Sequence, residues 1–237
     1  MVDDGWVRAI KHGWVVADGV PGPDVDEFAA ATDVVAALAE PRDGGDTLLA
    51  AQHPHRTPAA LAAGLSLADA LPAARQALDR LRVSAYRPVA EVLAPYRVDG
   101  PDGVALGVLC LVDPAAVDPH GVSWVRHSEE VYPRLVAERA AVINGLGCAT
   151  SAAMLVPVTG GDQLTGAVLE CIDALGAPVV SITDSGGRRH RLWLLGPGAG
   201  QDGLLAVLAR APLLVADGNH RLAAAAASDR SSLLALV

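Results

Sequence analysis

Pro212-Leu213-Leu214-Val215-Ala216-Asp217-Gly218-Asn219-His220-Arg221-Leu222, followed by an alanine run, is the stretch on which the reading of this chain turns. Leu213–Ala216 is a short apolar run of the kind a buried central strand requires. Gly218 permits a sharp turn that a residue with a Cβ resists. His220 and Arg221 then fall at or just inside a helix N-terminus. Backbone N–H groups lack intrahelical partners there, and the helix dipole favours an anion. An Asp, a His and an Arg gathered at that point form a candidate phosphate site. The bland alternative is an ordinary turn, because Asp-Gly and Asn are common turn residues.

The elements around this stretch follow from periodicity and breakers. Leu204–Ala211 reads as a helix feeding the strand. Val179–Asp184 and His190–Leu195 flank Ser185-Gly186-Gly187 as a hairpin, and Val89–Val98 and Val104–Asp113 flank Asp99-Gly100-Pro101-Asp102-Gly103 as another. Ala152–Val158 predicts a strand, and Leu164–Leu175, Val131–Leu146 and Leu67–Leu81 predict helices. Nearer the start, Trp6–Ala17 predicts one strand or a bent hairpin. Asp24 or Asp26 caps a helix running through Leu38, Thr47–Gln52 is a short strand, and His53–Pro58 is a loop. The apolar tail Leu233–Val237 calls for burial in a sheet or against a partner. Hairpins mixed with crossover helices predict an α/β fold of the mixed α+β kind, with a mixed sheet.

Composition narrows the function classes. The chain has 237 residues, of which 51% are hydrophobic but only 3% aromatic, so its core must be built from Ala, Val and Leu. The excess of Ala, Gly, Arg, Asp and Pro, with Lys11 the single lysine, points to a high-GC genome. A net charge of −9 argues against a general nucleic-acid binder, which needs a basic face. No apolar run reaches the roughly 18 residues that span a bilayer. The start, Met1-Val2-Asp3-Asp4, is acidic, unlike a signal peptide. Cys110, Cys148 and Cys171 are odd in number and lack a Cys-x-x-Cys pair, which predicts reduced thiols in a cytoplasmic protein.

A second polar cluster opens the helix predicted at Val131: Arg126-His127-Ser128-Glu129-Glu130, with Arg134, Glu138 and Arg139 further along. A His and a carboxylate just ahead of a helix can form an acid–base or metal pair. The competing reading for Glu130 and Arg134 is a solvated first turn. Arg139 is either a phosphate ligand or a surface cation. His53 and His55 flank Pro54, but two histidines without a third nearby ligand are a weak metal signal. The four tryptophans, Trp6, Trp14, Trp124 and Trp193, lack interleaved basic residues, so they read as packing rather than a stacking platform.

Together the two clusters resemble the bacterial family called domain of unknown function 1015. The matching residues are His127, Glu129 or Glu130, Glu138 and Arg139, then Ala216-Asp217-Gly218-Asn219-His220-Arg221. Asn219 stands where that family usually has His. The Thr47–Leu81 region and the Tyr96–Asp113 hairpin follow the family's order, and the resemblance extends over roughly residues 45 to 228. Family members usually continue well past the second motif, so the chain reads as a shortened member whose site is incomplete or is completed by a second subunit in a homodimer. The Asp217–Arg221 turn also looks like the phosphate-binding turn of the ParB/sulfiredoxin-like superfamily, whose members include CTP-binding partition proteins, sulfiredoxin and free-serine kinases using ADP or ATP. The turn holds no cysteine, which argues against sulfiredoxin-type chemistry.

The resemblance implies two parts, an N-terminal α/β part over 1–113 and a ParB/sulfiredoxin-like nucleotide-binding part over 114–237, or one continuous domain. It implies a nucleotide-dependent phosphotransferase acting on a small hydroxylated metabolite, with serine the nearest analogy, or else a nucleotide-binding switch with little catalysis. Gly218, Asn219, His220, Arg221 and Arg139 would hold the phosphates of ATP, ADP or CTP. Asp217 would carry Mg²⁺ or orient the acceptor. Glu129 or Glu130 would act as base with His127 as its partner. The implied partners are a nucleotide and a small molecule, with neither nucleic acid nor membrane.

Overall fold

The computed structural model describes residues 5–20, 22, 30–40, 47–229 and 232–237. Asp24 and Asp26 lie outside them. The chain opens with β1 (Val7–Arg8) and β2 (Ile10–Val16), two strands parted at Ala9 that join different sheets, rather than one strand or a hairpin. Helix α1 spans Ala31–Ala39.

Thr47–Gln52 is the clearest departure from the sequence reading. It is not a strand but α2 (Leu48–Gln52), with Thr47 as its cap, Oγ1 accepting from the Ala50 N–H at 3.1 Å. Leu49 and Ala51 are buried by it. A run this short carries no period that separates a buried strand from a buried helical turn. The expected loop at His53 contains a 3-10 turn, Pro54–Arg56, and Thr57 then caps α3 (Pro58–Ala62). Ser66 caps α4 (Leu67–Ser84), whose small residues Ala70, Ala74 and Ala77 form its buried stripe with Leu78 and Leu81.

The expected Val89–Val98 strand is two strands, β3 (Tyr86–Val92) and β4 (Ala94–Gly100). They part beside Glu91, which holds φ at 53°, and Gln201 donates to the Glu91 carbonyl at 2.8 Å. Next come β5 (Gly103–Val112), β6 (Val125–Arg126), α5 (Pro133–Leu146), β7 (Ala153–Pro157), α6 (Gly161–Leu175), β8 (Val180–Thr183) and β9 (Arg189–Leu192). The chain ends with α7 (Ala199–Leu208), β10 (Leu213–Asp217), α8 (Asn219–Ala227) and β11 (Leu233–Leu236). Both predicted hairpins form: Ala94 through Gly100 pair with Leu109 through Gly103, and Val180 through Thr183 with Leu192 through Arg189.

The fold is mixed α+β, as expected. Its large sheet has nine strands in the order β6-β10-β7-β11-β5-β4-β9-β8, with β1 against β5, while β2 and β3 pair separately. Among the described residues, the β10–β6 and β11–β7 pairs are parallel and the remaining pairs of the large sheet antiparallel. The apolar tail is inserted as β11 between β5 and β7, which buries Leu233 and Ala235.

Two compact units share the chain. One gathers residues 1–13, 89–136 and 151–237; the other gathers 14–88 and 137–150. The boundary drawn at 113/114 falls within the first unit. That unit's core lies on one sheet face, where Val108, Cys110, Leu155, Leu213, Val215 and Ala235 meet Val168 of α6, Leu204 of α7 and Leu222 of α8. The alternate residues Met154, Val156 and Leu214 are exposed, so β10 is buried on one face rather than both. The second unit is centred on Ala51, Ala74, Leu78 and Leu146. Trp193 is buried and donates to the Gly176 carbonyl, Trp6 stacks on Trp124, and Trp14 lies beneath the Arg82 guanidinium. All four tryptophans therefore have packing partners.

Candidate functional site

Strands β6 and β10 run parallel, with Val125 opposite Leu213 and Arg126 opposite Leu214. Parallel pairing sets their carboxyl ends side by side. The loop leaving β6, His127 to Tyr132, therefore meets the turn leaving β10, Asp217 to Asn219. The carboxyl ends of parallel strands are where open α/β sheets build their sites. A shift of register between Val215 and Asp217 in the β10–β7 pairing marks the point at which β10 leaves the ladder.

Gly218 makes the turn. It holds φ at 98° and precedes α8 as its N-cap. A Cβ there would lie 2.6 Å from Arg221 Nε and 3.0 Å from Ala153 Cβ, so both conformation and space demand glycine. Arg221 is buried, and its guanidinium pairs with the Asp217 carboxylate one turn back. The pair ties the strand end to the helix start.

Asn219 is the junction. It is 2% exposed and carries four hydrogen bonds to the β6 loop. Its Oδ1 accepts from the Ser128 N–H at 3.1 Å, and its Nδ2 donates to Ser128 Oγ at 3.0 Å and Glu129 Oε1 at 3.2 Å. A backbone N–H can only donate and a carboxylate can only accept, so the amide orientation is determined. The 3.1 Å contact between Oδ1 and His127 Nδ1 then requires the imidazole proton on Nδ1. His127 is exposed, and Nε2 is left as its basic nitrogen when neutral. Asn219 thus holds both His127 and Glu129, joining the two clusters that the sequence reading listed apart.

His220 is held differently. Its Nε2 accepts from the Tyr132 N–H at 3.0 Å, and the two rings stack with centroids 5.6 Å apart. In the neutral ring the proton lies on Nδ1, which can donate. Tyr132 and Ser128 were missed in the sequence. A usable signal for Tyr132 was its place just before Pro133, where an aromatic can fold back on a neighbouring turn.

Among the helices that follow strands of the large sheet, α6 and α7 each carry an acidic residue in the first turn, Asp162 and Asp202, whereas α5 and α8 carry none. The N-terminal field of α8 is therefore not neutralised within its own first turn. Glu130 is exposed beside Glu129. Arg139 and Glu138 belong to the second unit, where their charges act on His53 and His55. Burial, then Arg56, His55 and Arg139, hold His53 down to about 4, so it is neutral near pH 7. Among the described residues no group of three or more His, Cys, Asp or Glu could hold a metal ion, and no helix is long and apolar enough to cross a membrane.

With this geometry in place, the comparison with known families is decisive for kinship. Residues 89–232 match the family described as Protein of unknown function (DUF1015). The chain belongs to that family. The match holds both clusters of the site and begins after the Thr47–Leu81 region that was expected to share it. No curated protein and no solved structure gives a significant match to the chain.

Proposed function

We propose that this DUF1015 member is a nucleotide-dependent phosphotransferase acting on a small hydroxylated metabolite, its α8 turn serving as a ParB/sulfiredoxin-like phosphate seat. The observation that carries this reading is the meeting of two strand ends at Asn219: a helix N-terminus without an acidic first turn faces a His and a carboxylate held by one buried amide. Phosphoryl transfer asks for positioning and charge neutralisation more than covalent chemistry. The backbone N–H groups at the start of α8 and the Nδ1–H of His220 would receive phosphate oxygens. Arg221, already paired with Asp217, would act by holding the turn and its positive field.

His127 Nε2 and the carboxylates of Glu129 and Glu130 are the groups that would take the acceptor's proton. Asp217 retains a side chain about one-third exposed, at 35%, beyond its bond to Arg221. A single carboxylate fits a Mg²⁺ bound chiefly by phosphates and water rather than by a protein cage. The nucleotide, ATP, ADP or CTP, supplies the transferable phosphoryl group when bound.

A second reading is a nucleotide switch with little catalysis. It is favoured by one observation: the loop clasped by Asn219 and His220 runs directly into α5 at Pro133. A ligand at the turn would act on that helix and on assembly as a homodimer. Turnover with an acceptor separates the two readings.

The test is a thermal-shift titration with ATP, ADP and CTP, each with Mg²⁺. A ligand at 100 times its Kd stabilises by about 2.7 kcal/mol. A nucleotide-specific rise that disappears in His220→Ala, followed by phosphorylation of serine or a related hydroxyl compound, is the expected result. No rise with any nucleotide defeats both readings.

A further inference from the structure

Away from the α8 turn, the β8–β9 hairpin and β4 assemble a second chain of titratable groups. Val98 pairs with His190, Tyr96 with Leu192, and Ile182 with His190. The two-residue period therefore puts Tyr96, Val98, His190 and Ile182 on one sheet face, with Asp184 following at the end of β8. The Tyr96 hydroxyl lies 2.5 Å from His190 Nδ1, and His190 Nε2 lies 3.1 Å from Asp184 Oδ2. Asp184 is held in turn by the Arg188 N–H at 2.8 Å.

The donor directions in this chain are determined. A carboxylate only accepts, so Nε2 of a neutral His190 carries the proton and Nδ1 is left as an acceptor. The phenol then donates to Nδ1. This is the arrangement of a nucleophile, a base and an orienting carboxylate, with the two imidazole nitrogens in the reverse sense to a serine triad. Burial and Asp184 push the Tyr96 phenol above its ordinary range, so it rests protonated, and Asp184 rests ionised, held below its usual range first by the His190 hydrogen bond. The His190 and Asp184 side chains are 32% and 19% exposed and Tyr96 is part-buried, so solvent reaches this chain of groups. Paired strands hold its tyrosine and histidine, which keeps the geometry rigid.

We propose that Tyr96, His190 and Asp184 form an acyl-transfer triad, in which Tyr96 is the nucleophile towards small activated esters. The phenol oxygen bonds to the acyl carbon, its proton passes to His190 Nδ1, and the ester C–O bond breaks with its electron pair leaving on the alcohol or phenol oxygen. Asp184 stabilises the imidazolium, which returns the proton to the leaving oxygen or to solvent. Water attacks the resulting aryl ester, releases the carboxylic acid and restores the phenol. The triad is independent of the nucleotide reading; the α8 turn enters its test only through Tyr132, whose ring stacks on His220 and which serves as the exposed reference.

The probe is 4-nitrophenyl acetate, with the chain's three tyrosines compared in one sample. Acetylation is mapped by peptide mass spectrometry and 4-nitrophenolate release is followed by absorbance. Tyr132 is 67% exposed and stacks on His220, so it reports the reactivity of an exposed tyrosine outside the triad. The expected result is acetylation of Tyr96 at least tenfold faster than Tyr132, or catalytic 4-nitrophenolate release lost in Tyr96→Phe. His190→Ala and Asp184→Asn should slow either signal at least tenfold, within the usual range for a general base, and leave Tyr132 unchanged. Should either variant fail to fold, the wild-type pH profile decides. A Tyr96 rate that rises with imidazole deprotonation supports the triad. A rate that rises only near the ordinary phenol ionisation, about pH 10, or a Tyr96 acetylated no faster than Tyr132 with no 4-nitrophenolate release that depends on Tyr96, overturns it.

Discussion

Helices α6 and α8 both follow a sheet strand through a glycine in the left-handed region, Gly160 at φ 78° and Gly218 at φ 98°. From there they diverge. A Cβ at Gly160 would meet only Gln163 Oε1, at 3.8 Å, whereas one at Gly218 would collide with Arg221 and touch Ala153. The third residue of α6 is the exposed Gln163; the third of α8 is the buried Arg221. Asp162 answers the dipole of α6 within its own first turn, and α8 has no such group. A glycine turn therefore makes a helix start, but the packing of side chains behind it and a loop in front of it make a candidate site. Strand pairing supplies that loop to α8 by setting β6 beside β10.

The sharpest way to break this comparison is to place the same methyl group at both turns. Gly218→Ala should cost about 3 kcal/mol, combining left-handed strain with the clash, and Gly160→Ala about 1 kcal/mol from strain alone. Denaturant unfolding of the two variants measures both, and equal losses would mean that the α8 turn is no more tightly built than the α6 turn. Asn219→Ala comes next, at about 2 kcal/mol, because it leaves the Ser128 N–H without its acceptor. Its partner experiment, Gln163→Ala, should change stability by less than about 0.5 kcal/mol.

A third substitution exchanges the electrostatics. His220→Asp gives α8 the acidic first turn that α6 already has, and Asp can still accept from the Tyr132 N–H. Folding stability should stay within about 1 kcal/mol of wild type, while any nucleotide-induced rise in Tm should vanish. A rise that survives would show that the seat does not depend on the charge of this turn. A small effect is expected from Asp162→Asn, a loss of about 0.5 kcal/mol from the dipole of α6, visible as a reduced Tm at low salt and masked at high salt.

Much of the site was legible because its parts are local. Asp217-Gly218 at the end of an apolar run announces a strand, a turn and a helix start, and all three form. His127 and Glu129 stood out as polar groups ahead of a helix. What could not be read was that Asn219 joins them, since the bond spans 92 residues of sequence and depends on β6 and β10 being neighbours. Asn219 drew notice for standing where a His was expected and as one of the residues to hold phosphates, yet it is the most buried polar side chain of the turn. Tyr96, His190 and Asp184 could not be joined in the sequence for the same reason: each looks like an ordinary strand or turn residue until the β4–β9 and β8–β9 registers bring them together.

The sequence by itself determined the elements whose signals lie within a few residues: the two hairpins around Asp99–Gly103 and Ser185–Gly187, the apolar stripe of α4, and the glycine turn before α8. Backbone period and turn chemistry act over that range, so composition and spacing carry them. The tertiary structure alone decided the strand order, the insertion of β11 between β5 and β7, and the choice of helix over strand at Leu48–Gln52. Those outcomes rest on which apolar faces find each other across the chain, and burial is non-directional, so no local pattern specifies the partner.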